Sequence, residues 1–172
     1  MSSVDLSEPE RGSGVFMIPT KANVIVDLDG TVADCEWRET FIKAPPGREE
    51  FKPDWQAFHR ESKHDMPHDD VLELVVLLAE RYAIWICTGR DDGHRAATEQ
   101  WLREHGLNVP SERLLMRPQG NYDSDVRIKL RLAEDAGLRP DNTLLVLDDR
   151  DKVVEAWRKA GFRCLQVRPG TF

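Results

Sequence analysis

Asp27-Leu28-Asp29-Gly30-Thr31 follows directly on the apolar run Val24-Ile25-Val26. Two carboxylates in this spacing suit phosphoryl transfer, because one can attack phosphorus while the other handles a proton. A strand alternates its side chains, so positions i and i+2 point the same way. That alternation predicts Asp27 and Asp29 side by side at the strand's carboxyl edge, where open α/β sheets keep their sites. Further groups of matching chemistry come later in the chain: Thr88-Gly89-Arg90, then Asp125 with Lys129, then Asp148-Asp149. Taken singly, each has an ordinary explanation. Asp-Gly-Thr is commonly a turn, Thr-Gly a loop, Asp-Asp a helix cap, and Lys129 a solvated helix residue. Their joint order, each at the end of an expected element, favours a site.

The elements that must position these residues can be read from periodicity. Strands are expected at 22–28, 83–87, 113–116, 143–147 and 163–167, and helices at 69–81, 95–105, 125–136 and 151–160. Gly106, Gly137 and Gly161 close three of the helices as left-handed caps. This alternation predicts an α/β fold of three layers, a Rossmann-like parallel sheet between helices. Right-handed crossovers then bring the strand ends carrying Asp27, Thr88 and Asp148 to one edge. Residues 1–20, rich in Ser, Glu, Gly and Pro, read as a flexible tail, and 21–172 as one domain. The exception to the alternation is 35–66, which mixes charge with Trp37, Phe41, Phe51, Trp55 and Phe58. It is too aromatic for a disordered loop and is expected to pack as a small helical cap over the site. Its rings are read either as local core or as nucleobase platforms, the first being the commoner use.

The chain of 172 residues carries a formal net charge of −7, which argues against a surface that grips nucleic acid everywhere. A local basic mouth remains open, since Arg38, Lys43, Arg48, Lys52, Arg60 and Lys63 cluster in sequence; a solvated charged face is the alternative. The longest apolar stretch, Leu74 to Ala79, is far short of the roughly 18 residues a membrane span needs. No secretory signal is visible. The three cysteines, Cys35, Cys87 and Cys164, read as reduced thiols of a cytoplasmic protein. None has Arg at the Cys-x5-Arg spacing of a cysteine phosphatase. There is no His-Glu-x-x-His for zinc, and His64-Asp65 and His68-Asp69 lack the remaining ligands of a His-Asp phosphohydrolase.

The ordered set of motifs resembles the haloacid dehalogenase superfamily of phosphotransferases. The resemblance implies Asp27 as the nucleophile that forms an aspartyl-phosphate and Asp29 as the general acid/base. It implies Thr88, with backbone amides, as the holder of the phosphoryl oxygens, and Lys129 as the neutralising cation. Magnesium is the cofactor it implies, on Asp27, a carbonyl near Asp29, and Asp148 or Asp149. The physics agrees: four carboxylates cannot share a small site while ionised without a cation, and magnesium takes oxygen ligands.

A narrower resemblance, to the phosphatase half of phage polynucleotide kinase/3′-phosphatases, runs through Asp27, Arg117-Pro118-Gln119-Gly120, Asp125…Lys129, Leu147-Asp148-Asp149-Arg150, Trp157, Gly161 and Gly170. It implies substrate contacts at Gly30, Thr31, Arg38, Gly89 and Arg90. It also implies Asp125, one turn before Lys129, as the residue that orients the lysine. The Gly-x-x-x-x-Gly-Lys-Ser/Thr loop of the kinase half is absent from this sequence.

The activity expected on these grounds is magnesium-dependent hydrolysis of the 3′-phosphate end of DNA or RNA, with a 2′,3′-cyclic phosphate as a related substrate. A 5′-nucleotidase or other small-molecule phosphatase of the superfamily is the alternative. A non-catalytic subunit that binds nucleic-acid ends for a separate kinase or ligase is a third reading, disfavoured by retention of every catalytic position.

Overall fold

A computed structural model describes residues 22–47 and 50–170. The tail expected at 1–20, and Arg48 of the basic cluster, lie outside the described residues. Among the described residues are seven strands and five α-helices: β1 (Asn23–Val26), β2 (Ala33–Asp34), α1 (Trp55–Arg60), β3 (Met66–Pro67), α2 (Asp69–Ala79), β4 (Ala83–Asp91), α3 (Arg95–Glu104), β5 (Leu114–Arg117), α4 (Asp125–Asp135), β6 (Thr143–Arg150), α5 (Asp151–Lys159) and β7 (Cys164–Gly170).

Five strands form one parallel sheet in the order β5-β4-β1-β6-β7. The run Val24-Ile25-Val26 is wholly buried because both faces of β1 are covered. Val24 and Val26 pack with Val71 and Val75 of α2 and with Trp101 and Leu102 of α3. Ile25, pointing the other way, packs with Ala133 of α4 and with Val153, Val154 and Trp157 of α5. The result is three layers with two cores. Trp101 and Trp157 anchor one core each, and truncating a buried Trp of this kind to Ala costs about 3–5 kcal/mol.

The chain builds outward from β1 through β4 to β5, then returns to place β6 on the other flank of β1. The carboxyl ends of β1 and β6 therefore flank a topological switch point, where crevices open in such sheets. Both neighbouring ladders are irregular at that edge. The β4–β5 register breaks between Thr88 and Asp91, and the β6–β7 register breaks between Asp148 and Arg150. Such irregularities re-aim side chains out of the plain alternation. They also explain why β4 runs four residues, and β6 three, beyond their expected ends: pairing resumes after the break.

Between β1 and α2 the chain leaves the sheet. A 3-10 helix (Glu36–Phe41), α1 and a second 3-10 helix (Glu61–His64) form the stretch, and the short antiparallel β2–β3 pair closes its base. Asp54 starts α1 by accepting a 2.8 Å bond from the Ala57 amide. Phe58 is buried, and the Arg38 guanidinium lies 4.1 Å over its ring. Phe58 is thus local core, whereas Trp37 and Trp55 stay 46% and 53% exposed.

Candidate active site

Asp27 follows β1 immediately, its amide still bonded to the Leu147 carbonyl of β6 at 2.9 Å. That backbone bond places its carboxylate beside the end of β6. Lys129, from the buried face of α4, sets its Nζ 2.8 Å from Asp27 Oδ1 and 2.8 Å from Asp148 Oδ2. The Thr31 hydroxyl lies 3.3 Å from Asp27 Oδ2 and 3.4 Å from Asp149 Oδ1, joining the remaining carboxylates. The Trp157 indole donates to Asp148 Oδ2 at 3.3 Å, tying the cluster to the α5 core.

Every member of this group is buried. Burial, with the charges of Asp148 and Asp149, raises the Asp27 carboxyl well above its ordinary value although Lys129 pulls the other way. Burial and then the Asp148 charge raise Asp149 too. Burial alone would lower the Lys129 ammonium, but Asp148 and Asp27 outweigh it and hold the lysine charged. Three carboxylates face one ammonium, so the pocket carries surplus negative charge.

Asp29 has other partners. Arg90 Nε reaches its Oδ1 and Oδ2 at 3.0 and 3.1 Å, and Arg38 Nη2 pairs with Oδ1. Burial would raise the Asp29 carboxyl, but the Arg90 and Arg38 guanidiniums hold it far below the usual carboxylate range. Asp65 grips the same two arginines from behind. It accepts from Arg38 Nε at 2.7 Å and Nη2 at 2.6 Å, from Arg90 Nη2 at 3.1 Å and from the Trp37 indole at 3.0 Å. Its backbone carbonyl takes the Trp101 indole at 2.8 Å. Both arginines are fully buried, which rules out ordinary surface roles. Of the guanidinium nitrogens of Arg38 and Arg90, Arg90 Nη1 is the one buried without a hydrogen-bond partner.

The remaining expected residues are close by. Gly30 has φ +80°, and a Cβ there would collide with the Asp149 carboxylate. Gly170, at the end of β7, crowds the same carboxylate. Thr88 is buried in β4, its hydroxyl accepting the Arg90 amide at 3.2 Å. A Cβ on Gly89 would come within 2.8 Å of Asp125 Oδ1.

Two expectations require correction. Asp125 does not orient Lys129: its carboxylate pairs with Arg117 and Arg150, while Lys129 turns inward to Asp27 and Asp148. The i, i+4 spacing puts both on one side of α4, but a buried ammonium is drawn to the pocket of surplus negative charge. Nor does the first strand reach its expected end at residue 28. β1 ends at Val26, so the pleat no longer governs the side chains that follow.

Whether the site can hold a divalent cation is a question of donor chemistry. Asp27, Asp148 and Asp149 each offer a carboxylate oxygen within 4.8 Å of the others, an all-oxygen set of the kind hard cations take. At an effective dielectric of about 20, unit charges 4 Å apart interact by roughly 4 kcal/mol. Uncompensated, such repulsion drives proton uptake; a divalent ion relieves it. The residues fit. The Asp29 side chain, held by two guanidiniums, is not part of that set.

With this geometry in view, comparison with known proteins is specific. The family described as the polynucleotide kinase PNKP phosphatase domain matches residues 21–172. The chain belongs to that family.

It is therefore a phosphatase domain of the haloacid dehalogenase superfamily, with the expected α/β fold. A chain in the structure of a Pnkp1/Rnl/Hen1 complex superposes with a TM-score of 0.70 at 25% identity, covering 99% of this chain and 53% of that one. The protein thus spans about half the length of that relative. A haloacid dehalogenase-like hydrolase from Streptococcus pneumoniae gives 0.59 at 12% identity, over 86% of this chain and 84% of that one. An enzyme of the superfamily from Bacteroides thetaiotaomicron, solved with magnesium and inorganic phosphate, gives 0.52 at 14% identity, over 88% and 96%.

Several members of this phosphatase domain's site escaped the sequence reading. Asp65 was visible only as half of a His-Asp pair. Arg117 and Arg150 lay inside matched segments without a role. His59, beside the Asp29 network, carried no signal beyond its aromatic neighbours.

Proposed function

We propose that this phosphatase domain is a magnesium-dependent polynucleotide 3′-phosphatase working through a phospho-Asp27 intermediate, with 2′,3′-cyclic phosphates as related substrates. The observation that carries the reading is the meeting of the Asp27 carboxylate with Lys129, Asp148 and Asp149 at the switch point, beside Asp29 and its two arginines. In the first step an Asp27 oxygen bonds phosphorus, the ester bond breaks, and Asp29 protonates the leaving oxygen. In the second, Asp29 takes a proton from water, the water oxygen bonds phosphorus, and the bond to Asp27 breaks to release phosphate.

Magnesium on Asp27, Asp148 and Asp149, with a backbone carbonyl near Asp29, would neutralise charge between the anionic nucleophile and the anionic phosphoryl group. Lys129 holds Asp27 in place and keeps its charge in the buried pocket. The unpaired Arg90 Nη1 is the donor left to meet a phosphate oxygen, with Thr88 beside it in sequence. Because Asp29 rests as a carboxylate, it must take up a proton from solvent before the first step, which it does when phosphate draws the guanidiniums off it. The Pnkp1 relative stands in a complex with Rnl and Hen1. A kinase or ligase chain, acting on the same nucleic-acid ends, is accordingly the partner proposed here.

The test is phosphate release, with magnesium, from a 3′-phosphorylated oligonucleotide, its 5′-phosphorylated counterpart and a free mononucleotide. Strong preference for the 3′ end is expected. Preference for the mononucleotide would keep the aspartyl chemistry and make the protein a nucleotidase.

A further inference from the structure

His59, in α1, stands where the insert meets the loop after β4. Trp55 stacks on its ring at 6.2 Å and 29°, Phe58 meets it edge-on at 5.5 Å, and His94, from the turn following β4, lies 5.7 Å away. His59 follows Phe58, whose carbonyl accepts from Arg38 Nη1 at 2.9 Å and whose ring lies under the same guanidinium, so α1 sets His59 at the border of the Asp29 network. Its Nδ1 is buried and has no hydrogen-bond partner. Arg90 Nη1, on the guanidinium whose Nε and Nη2 bond Asp29, is in the same condition. Two unsatisfied buried nitrogens at the edge of one charge network are a cost to the folded chain, and a ligand that supplied partners would remove it. Beside them Trp55 is half exposed.

The mechanism above decides what that ligand is. If Asp29 protonates the leaving oxygen, the His59 side of Asp29 faces the leaving group, while Arg90 Nη1 is left for a phosphoryl oxygen. At a 3′-phosphate end the leaving oxygen sits on a sugar, and in a ribonucleotide the next carbon bears a second hydroxyl. We propose that His59 is the contact residue of a leaving-group subsite that recognises this vicinal sugar hydroxyl; the proposal rests on the phosphatase reading. Burial, the largest influence on the ring, brings the imidazole down to about 4, so it is neutral near pH 7. A neutral imidazole offers one donor and one acceptor, and a hydroxyl accepts and donates in return. The subsite therefore favours an RNA-type 3′ end over a DNA-type one.

The experiment compares kcat/KM for a 3′-phosphorylated ribo-oligonucleotide and its 2′-deoxy counterpart, with p-nitrophenyl phosphate as a sugar-free ester. The wild-type chain is expected to prefer the ribose end by about three- to tenfold, mainly through KM, as one neutral hydrogen bond allows. His59→Phe keeps a ring against Trp55 but removes both nitrogens, and its ribo/deoxy ratio should fall to near one. Measurable hydrolysis of p-nitrophenyl phosphate shows that the variant's site has formed; His59→Leu replaces it if it does not fold. A wild-type ratio of one, or an unchanged ratio in the variant, overturns the subsite. Absence of hydrolysis of all three esters by the wild type overturns the phosphatase reading itself.

Discussion

Asp27 and Asp29 are two residues apart, yet they belong to two differently balanced networks of buried charge. Around Asp27, three carboxylates share the single ammonium of Lys129. Around Asp29, two carboxylates meet two guanidiniums, and Asp65 closes the set from the insert side. The first network is short of positive charge and suited to receive a cation. The second is neutral, dense in hydrogen bonds and suited to hold its members still. The contrast separates binding from positioning within one site. Its sharpest break would come from exchanging charge at the same residue type in the two halves.

Asp27→Asn should have the largest effect. It removes the proposed nucleophile while lowering the surplus negative charge of its pocket, so turnover should fall on the order of 10⁴-fold or more. Thermal stability should hold or rise. Steady-state phosphate release and a melting curve of the same preparation test both halves; near wild-type turnover would sink the aspartyl mechanism. Asp29→Asn should damage turnover almost as much. It should also cost stability, because two buried guanidiniums lose a charged partner.

Asp65→Ala comes next. The side chain is fully buried and in the native fold serves Arg38, Arg90 and Trp37 at once. Breaking a buried ion pair by removing one partner costs about 3–5 kcal/mol. For a chain of this size that lowers the melting temperature by roughly 10 °C or more. A shift within 2 °C would show that the second network is not a rigid support. Asp65→Asn should recover part of the loss, because the amide oxygen can still accept from one arginine.

How much of this was legible in the sequence differs between the two networks. Asp27, Lys129, Asp148 and Asp149 all sit at strand ends or on an amphipathic helix, and a parallel sheet forces such ends together whatever lies between. Arg38 and Arg90 could be singled out, but their common partner could not. Asp65 lies 27 residues beyond Arg38, and only closure of the insert by the β2–β3 pair brings it back. Asp125 shows the limit of helical spacing: i, i+4 names a face, not a partner. Arg117 and Arg150, which claim it, come from the ends of β5 and β6 on either side of α4 in sequence. The extra length of β4 and β6 was hidden because the irregularities after Thr88 and Asp148 interrupt the pattern that periodicity reads.

The smallest expected effect separates the two networks by acidity and magnesium together. Burial, followed by the charge of Asp148, raises the carboxyls of Asp27 and Asp149 above the ordinary 3.8, so the folded chain holds these protons more tightly than the unfolded one. Their contribution to stability is fully present below that value and is lost as pH rises through the raised values. Asp29 runs the opposite way: depressed by Arg90 and Arg38, its contribution is present above 3.8 and lost only in stronger acid. Between pH 5 and 7.5, then, the Asp27 pocket should cost the metal-free protein stability as pH rises, while His59, brought down to about 4 by burial, contributes in the opposite direction over the same range. Magnesium binds the deprotonated carboxylates, so it should restore stability most at the higher pH. At 100 times its dissociation constant a ligand adds about 2.7 kcal/mol, or roughly 5–10 °C here. Melting curves at pH 5 and 7.5, with and without magnesium, should show that gain at 7.5 and a smaller one at 5. In Asp148→Ala the gain should shrink at both, while the response to stronger acid, which belongs to Asp29, should persist. An equal magnesium shift at the two pH values would mean that the three carboxylates are not where the cation binds.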